Sequence, residues 1–390
     1  MRLLPFDYAV RNLGRSRIRL ALSVLGSALV VLLVLAAGGF VRGMDRALRT
    51  TGDERNVLVM GIGSEESVER SEINASTASL IEASVSGIRT RAGVAYISPE
   101  VHVMLPVRAG PASEHEGHAL LRGVTPAAAL VHSDVSLIEG RLPESGVDEV
   151  MVGRMAARTI GLSEGDLAIG AKLQIDNRLW TIVGRFVAPG SVVEAEIWVP
   201  LAGLMTATKR DTVSCVVLTL ETDQAEFADI AAFALMRPDL ELAAMPEREY
   251  YDQLAAFFGP IRIVAWITAG LVAMGGLFGG LNTMYAAFAS RVRELGTLQS
   301  IGFRRGSIIT SLVQESSLAA AAGSLIACAA GMLLLNGIGV RFSAGAFALV
   351  IDTTVVLIGL GAGIALGLIG ALPPAWRCLR MPIPTALKAV

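Results

Sequence analysis

Four long runs almost free of charge constrain this 390-residue chain more than any other feature. Leu20–Val41, Ile263–Ser290 and Thr353–Leu372 carry no charged side chain, and Ser307–Leu335 carries one, Glu315. Crossing a bilayer takes ~20 apolar residues, and a segment in lipid must bond its own backbone, which favours helices. Four transmembrane helices follow. The interval 43–260 has no comparable run, so it reads as a domain in water. The mean hydropathy of +0.57 fits a chain that is part membrane and part domain.

Charge separates the same two parts. Residues 43–260 hold 18 basic and 31 acidic side chains, net −13, and the remainder holds 15 basic and 4 acidic, net +11. An acidic surface disfavours nucleic acid and other anionic partners. Basic residues near span ends mark the cytoplasmic side. They cluster at Arg2, Arg11, Arg15, Arg17 and Arg19, at Arg291, Arg293, Arg304 and Arg305, and at Arg377, Arg380 and Lys388, whereas the stretch after the third run has only Arg341.

The expected order follows: a basic cytoplasmic segment 1–19, a first span 20–41, an extracytoplasmic domain 42–260, a second span 261–290, a cytoplasmic loop 291–306, a third span 307–336, a short external loop 337–352, a fourth span 353–372 and a cytoplasmic tail 373–390. This is an α-helical membrane protein with four transmembrane helices and a mixed α+β domain between the first two. A cleaved signal peptide is the other reading of Leu20–Val41, but its apolar run exceeds the ~7–15 residues usual there, so an uncleaved anchor is expected.

Small residues recur every four positions in the spans: Gly275 with Gly279, Gly276 with Gly280, and Gly359, Gly363, Gly367 and Ala371. Such stripes let backbones approach closely, either within one chain or at a dimer seam. Glu315 is costly at membrane depth unless it is paired. With no other ionisable residue evident in the spans, packing or hydrogen bonding near the interface is the expected role.

Within 43–260, Asn56–Met60 and Val101–Val107 read as strands and Ile73–Val85 and Gln224–Met236 as helices. "EVMVGRMAARTIGLSEGD" reads as strand, short helix and a turn at Gly165-Asp166. "GAKLQIDNRLWTIVGRFVAPG" reads as a hairpin turning at Asp176-Asn177, and "EIWVPLAGL" as a strand stopped by Pro200. Two lobes are expected, 43–110 with 211–260 around an inserted lobe of roughly 111–210. Of the three cysteines only Cys215 lies in this domain, which excludes a disulfide within it. His115 and His118 with Glu114 and Glu116 fit no metal-site spacing. No nucleophile motif is framed for catalysis. A phosphate cradle needs Gly-Lys, a dipeptide absent from the chain. Any ATP is therefore handled by another subunit, and this chain is expected to be no enzyme and to bind no cofactor or metal itself.

Several ordered stretches resemble the MacB/FtsX-type permeases of bacterial ABC systems, a family that includes the lipoprotein-releasing permeases. They are "AVRNLGRSRIRLALSVLG", "EGRLPESGVDEVMVGRMAARTIGLSEGD", "WTIVGRFVAPG", "LNTMYAAFASRVRELGTLQSIGFRRGSIITSLVQES" and "ALPPAWRCLRMPIPTALK". Asn282, Arg291, Glu294, Gly296, Ile301, Gly302 and Glu315 fall at family positions; Gln299-Ser300 departs from the family's small residue and alanine. The resemblance implies a permease that dimerises in the inner membrane, binds two copies of a separate ATPase and passes ATP-driven motion to its exterior domain, with lipid around it and sometimes a periplasmic adaptor. It assigns an ATPase-docking loop to Arg291, Arg293, Glu294, Gly296, Gly302 and Arg304. Glu294→Lys or Gly302→Trp is expected to uncouple ATP hydrolysis. Release of lipoproteins, or regulation of an extracytoplasmic hydrolase, is the alternative function.

Overall fold

The computed structural model describes residues 6–111, 113, 115–221, 224–342 and 345–388. Arg2 and Glu114, named above, lie outside them. Along the chain, α1 (Phe6–Leu13) and α2 (Arg17–Thr50) precede β1 (Asn56–Gly61) and α3 (Thr77–Ser84). β2 (Ile97–Arg108), β3 (Glu116–Val124), α4 (Ala128–Val131), β4 (Ser136–Gly140), β5 (Glu149–Gly153) and α5 (Ala156–Ile160) follow. Then come β6 (Lys172–Ile175), β7 (Arg178–Val187), β8 (Ile197–Pro200), α6 (Leu201–Thr208), β9 (Cys215–Thr219), α7 (Gln224–Met236), β10 (Leu242–Pro246) and α8 (Glu247–Phe257). The C-terminal part holds α9 (Gly259–Ala289), α10 (Val292–Ser300), α11 (Arg305–Ala330), β11 (Gly339–Phe342), β12 (Gly345–Ala348), α12 (Thr353–Leu379) and α13 (Ile383–Lys388).

The chain forms two compact units. One comprises 1–42, 260–338 and 349–390, and the other 43–259 with 339–348. Among the described residues, four helices are long and apolar enough to cross a membrane: Leu20–Thr50, Gly259–Ala289, Arg305–Leu335 and Thr353–Leu379. In the membrane unit, Val31 and Leu35 of α2 pack with Ala327 and Cys328 of α11 and Val355 of α12. Close approach depends on small residues. A Cβ at Gly323 would fall on Ser27 and on the Val24 carbonyl, and one at Gly363 on Ser324.

The other unit is an α/β domain around one ten-stranded sheet, ordered β10-β1-β9-β2-β3-β8-β5-β7-β4, with β6 pairing β7 and β2. The pairs β3–β8 and β5–β7 are parallel. Residues expected as two lobes thus supply two halves of one continuous sheet, because the 12-residue β2 runs across the junction. Strand side chains alternate faces. Val57, Val59, Val101, Leu121, Ile197, Val216 and Leu218 share a core with Ile81 of α3, Ile160 of α5, Leu204 of α6 and Ile230 of α7. The opposite face carries the polar alternates considered below.

Three elements differ from the sequence reading. Ile73–Asn74 pairs with Thr212–Val213 instead of opening a helix, and α3 begins only at Thr77. The Asn74 side chain accepts from the Ser76 amide at 2.9 Å, a local turn that competes with helix. The stretch expected as an external loop contains the hairpin β11–β12, which belongs to the α/β unit; Ala346 packs with Met155 and Ala195. The segment 291–306, expected as a loop, contains the nine-residue helix α10.

Candidate functional site

The docking residues read from the sequence lie where α9, α10, α11 and the two ends of the membrane unit meet. α9 stops at Ala289, and Arg291, with φ −116° and ψ 9°, starts α10. The second span therefore ends at Ala289, and Glu294 belongs to a separate helix. Val292 and Leu295 of α10 are buried with Phe288 of α9, Ile308 and Leu312 of α11, Leu379 of α12 and Ala386 of α13. Gly296 is the point of closest approach to α13: a Cβ there would lie 3.0 Å from that of Ala386.

α10 ends in a Schellman motif. The amide of Gly302 donates to the Gln299 carbonyl and that of Phe303 to the Leu298 carbonyl, both at 3.1 Å. The motif needs a left-handed residue at the turn, and Gly302 has φ +101°. Arg304 then precedes α11 with extended backbone. The chain doubles back in four residues because glycine supplies the one conformation a Cβ resists.

A chain of ionic contacts ties this corner together. Arg291 donates through Nη1 to Glu315 at 3.0 Å and through Nε to Glu294 at 3.3 Å. Asn12 of α1 donates to the same Glu315 carboxylate. Arg15 donates to Glu294 at 2.7 Å. Arg291 and Glu315 are both 7% exposed. Glu315 therefore has an ionic partner, which sequence reasoning missed because that partner lies 24 positions earlier, beyond the span.

The expected docking residues thus divide. Arg291 and Gly296 are buried and serve internal packing, so neither is open to a partner. Arg293, Ile301, Gly302 and Arg304 are exposed on one side of the turn, and Ile301 is 61% exposed. Glu294 is half-buried between two arginines.

The glycine stripes divide too. Gly359 would meet Leu35 and Val31, and Gly367 would meet Ser317 and Ala320, so the α12 stripe, Gly363 included, packs within the chain. A Cβ at Gly275 or Gly279 would meet nothing within 4 Å. Both glycines line a groove of about 380 Å³ walled by α2, α9, α11 and α12.

In the α/β domain, the polar face of the sheet holds a second cluster. Glu100 and His102 stand on β2, Cys215 opposite Glu100 on β9, and Arg122 opposite His102 on β3. Arg122 forks onto Glu196, with both contacts at 2.7 Å, and donates to Glu100 at 2.8 Å. His132 reaches the other Glu100 oxygen at 2.7 Å, and Trp198 donates to Glu196 at 3.0 Å. Burial pushes the Glu100 carboxyl up, but the His132 and Arg122 charges outweigh it and hold it well below the usual range. Burial lowers His102, aided by Arg122 and only partly offset by Glu100. Burial, then Glu100, raise the Cys215 thiol. The cluster was missed in the sequence because its members come from five separated segments. The histidines weighed there do not converge: His115 bonds the Ile160 carbonyl at 3.1 Å, and Glu116 pairs with Arg108.

Four membrane-length helices, the first preceding a large α/β domain and the rest following it, make this a multi-span membrane protein with one large α/β domain. Residues 20–232 match the MacB-like periplasmic core domain and residues 266–383 the FtsX-like permease C-terminal domain. The chain belongs to the MacB/FtsX-type ABC transporter permease family. No curated protein matches it. Among solved structures it is similar to the periplasmic region of MacB from Actinobacillus actinomycetemcomitans, at 13% identity and TM-score 0.39, over 53% of this chain and 94% of that one. It is also similar to the extracellular domain of the noncanonic ABC-type transporter YknZ from Gram-positive bacteria, at 14% identity and TM-score 0.38, over 49% and 99%.

Proposed function

We propose that this chain is the membrane subunit of an ABC system whose ATP is hydrolysed by a separate subunit docked on the exposed side of α10. The family is one of ABC permeases, and the chain lacks the Gly-Lys of a phosphate cradle. The observation that carries the docking reading is the two-sided character of α10. Its inner side is buried in a core shared with four other helices, while Arg293, Ile301 and Arg304 face outward. A force on that outer side acts on packed helices rather than on a loose loop, so closure of the ATPase would shift the spans together. Substrate is then pushed or released at the far side of the membrane by mechanotransmission. The open glycines Gly275 and Gly279 on α9 suit a second permease protomer, with two ATPase copies, lipid around the spans and in some systems an adaptor. The protein sits in the bacterial inner membrane with both termini and α10 cytoplasmic.

The test is a mild-detergent pull-down of the tagged chain from its host, assayed for ATPase activity and analysed by mass spectrometry. A P-loop ATPase should co-purify, and Ile301→Asp with Arg293→Glu should reduce it at least about tenfold, the loss expected at a contact hot spot, with membrane insertion unchanged. No ATPase after crosslinking would overturn the reading.

A further inference from the structure

We propose that Glu100, His102 and Cys215 form a zinc site inside the α/β domain. The sheet itself assembles it. Glu100 and His102 are two positions apart on β2, hence on one face, and Cys215 is the cross-strand partner of Glu100. The three donor atoms lie within 4.8 Å of one another. His102 Nε2 is 3.2 Å from Glu100 Oε2 and 3.9 Å from Cys215 Sγ. Tetrahedral zinc, with bonds of ~2.3 Å to sulfur and ~2.0 Å to nitrogen or oxygen, sets nitrogen–oxygen and nitrogen–sulfur edges of about 3.3 and 3.6 Å. The observed edges come within a few tenths of an ångström of these.

Charge balance does not require these three together. Arg122 is already met by Glu196 through its fork and by Glu100, so neither His102 nor the thiol is needed to neutralise it. What remains is a fully buried thiol with a histidine ring nitrogen 3.9 Å from its sulfur. Thiolate, imidazole and carboxylate on one point select zinc over magnesium or calcium, which prefer oxygen alone. Binding releases the thiol proton as the metal–sulfur bond forms. Arg122 donates to the same Glu100 oxygen that faces His102, and His132 bonds the other, as outer-shell groups orient a ligand; the nearby guanidinium also weakens attraction for a cation. A cavity of about 40 Å³ adjoins His102 and Arg122 between Glu247 and Tyr251, above the ~10–15 Å³ that one water needs.

The test uses the full chain with Cys328→Ser and Cys378→Ser, leaving Cys215 as its single thiol, purified in detergent and stripped with a chelator. Zn²⁺ is added, free metal is removed by gel filtration, and bound zinc is measured by mass spectrometry. Co²⁺ is added to a second portion to look for thiolate-to-cobalt charge-transfer absorption. One zinc per chain and a charge-transfer band are expected, with affinity falling at least tenfold on Cys215→Ala and on His102→Gln. No retained zinc, zinc without a band, or zinc unchanged in Cys215→Ala each overturns the site. Where a variant does not fold, the cobalt spectrum of the parent decides: a band supports the site and its absence overturns it.

Discussion

Arg291 and Glu315 show how one residue pair organises the region around it. Both are buried, bonded at 3.0 Å, and supplied by segments on either side of a turn. Removing two charges from water is costly, and pairing offsets the cost only while both partners stay. Glu315→Ala should therefore destabilise the full chain by about 3–5 kcal/mol, the range for breaking a buried pair. The double variant Arg291→Met/Glu315→Leu should recover most of the loss, since no lone charge remains. Thermal melts of the single and double variants in detergent check this. Additive losses would mean that the pair is not coupled. Nothing in the sequence joins these residues: Glu315 reads as a lone acid in a span and Arg291 as one of several topology-setting cations. The buried face of the α/β domain is illegible for the same reason. Glu100, Arg122 and Glu196 look like surface charges until the register of β2, β3 and β8 brings them to one face, where His132, just after α4, meets Glu100.

At the scale of elements, legibility followed local chemistry. Strands with alternating apolar residues and strong turns were readable: β6 and β7 meet at Asp176-Asn177, both with positive φ. α7 was readable from its length and composition. The hairpin β11–β12 was not, because Gly339, Gly345, Ala346 and Ala348 carry little strand signal. α10 was hidden by its brevity and by Gly296, which lowers helix propensity yet is required for contact with α13. Its end was legible, since Gly302 announces a turn. Left-handed backbone costs a residue with a Cβ about 1–2 kcal/mol, and asparagine less than most. Gly302→Val should thus lower the melting temperature more than Gly302→Asn, while Gly306→Ala, at a glycine of ordinary φ with open space around it, should not. Equal effects at all three would mean that the Schellman turn does not set the end of α10.

In the proposed topology all four membrane-length helices cross, so the two ends of the chain share one side and residues 43–260 lie on the other. An odd number of crossings would separate the ends. That proposal takes its orientation from the arginines packed around 11–19 and 291–305, where short flanks control orientation. The α/β domain itself is too long for its charge to matter much, so the short basic flanks decide. In a chain with its three native cysteines changed to serine, Ser300→Cys should react with a membrane-impermeant maleimide only after the cells are opened. Glu65→Cys, at a half-buried site in the turn after β1, should react in intact cells. The reverse pattern would invert the topology and remove α10 from reach of any cytoplasmic ATPase. Labelling of both in intact cells would mean that a span between them fails to cross.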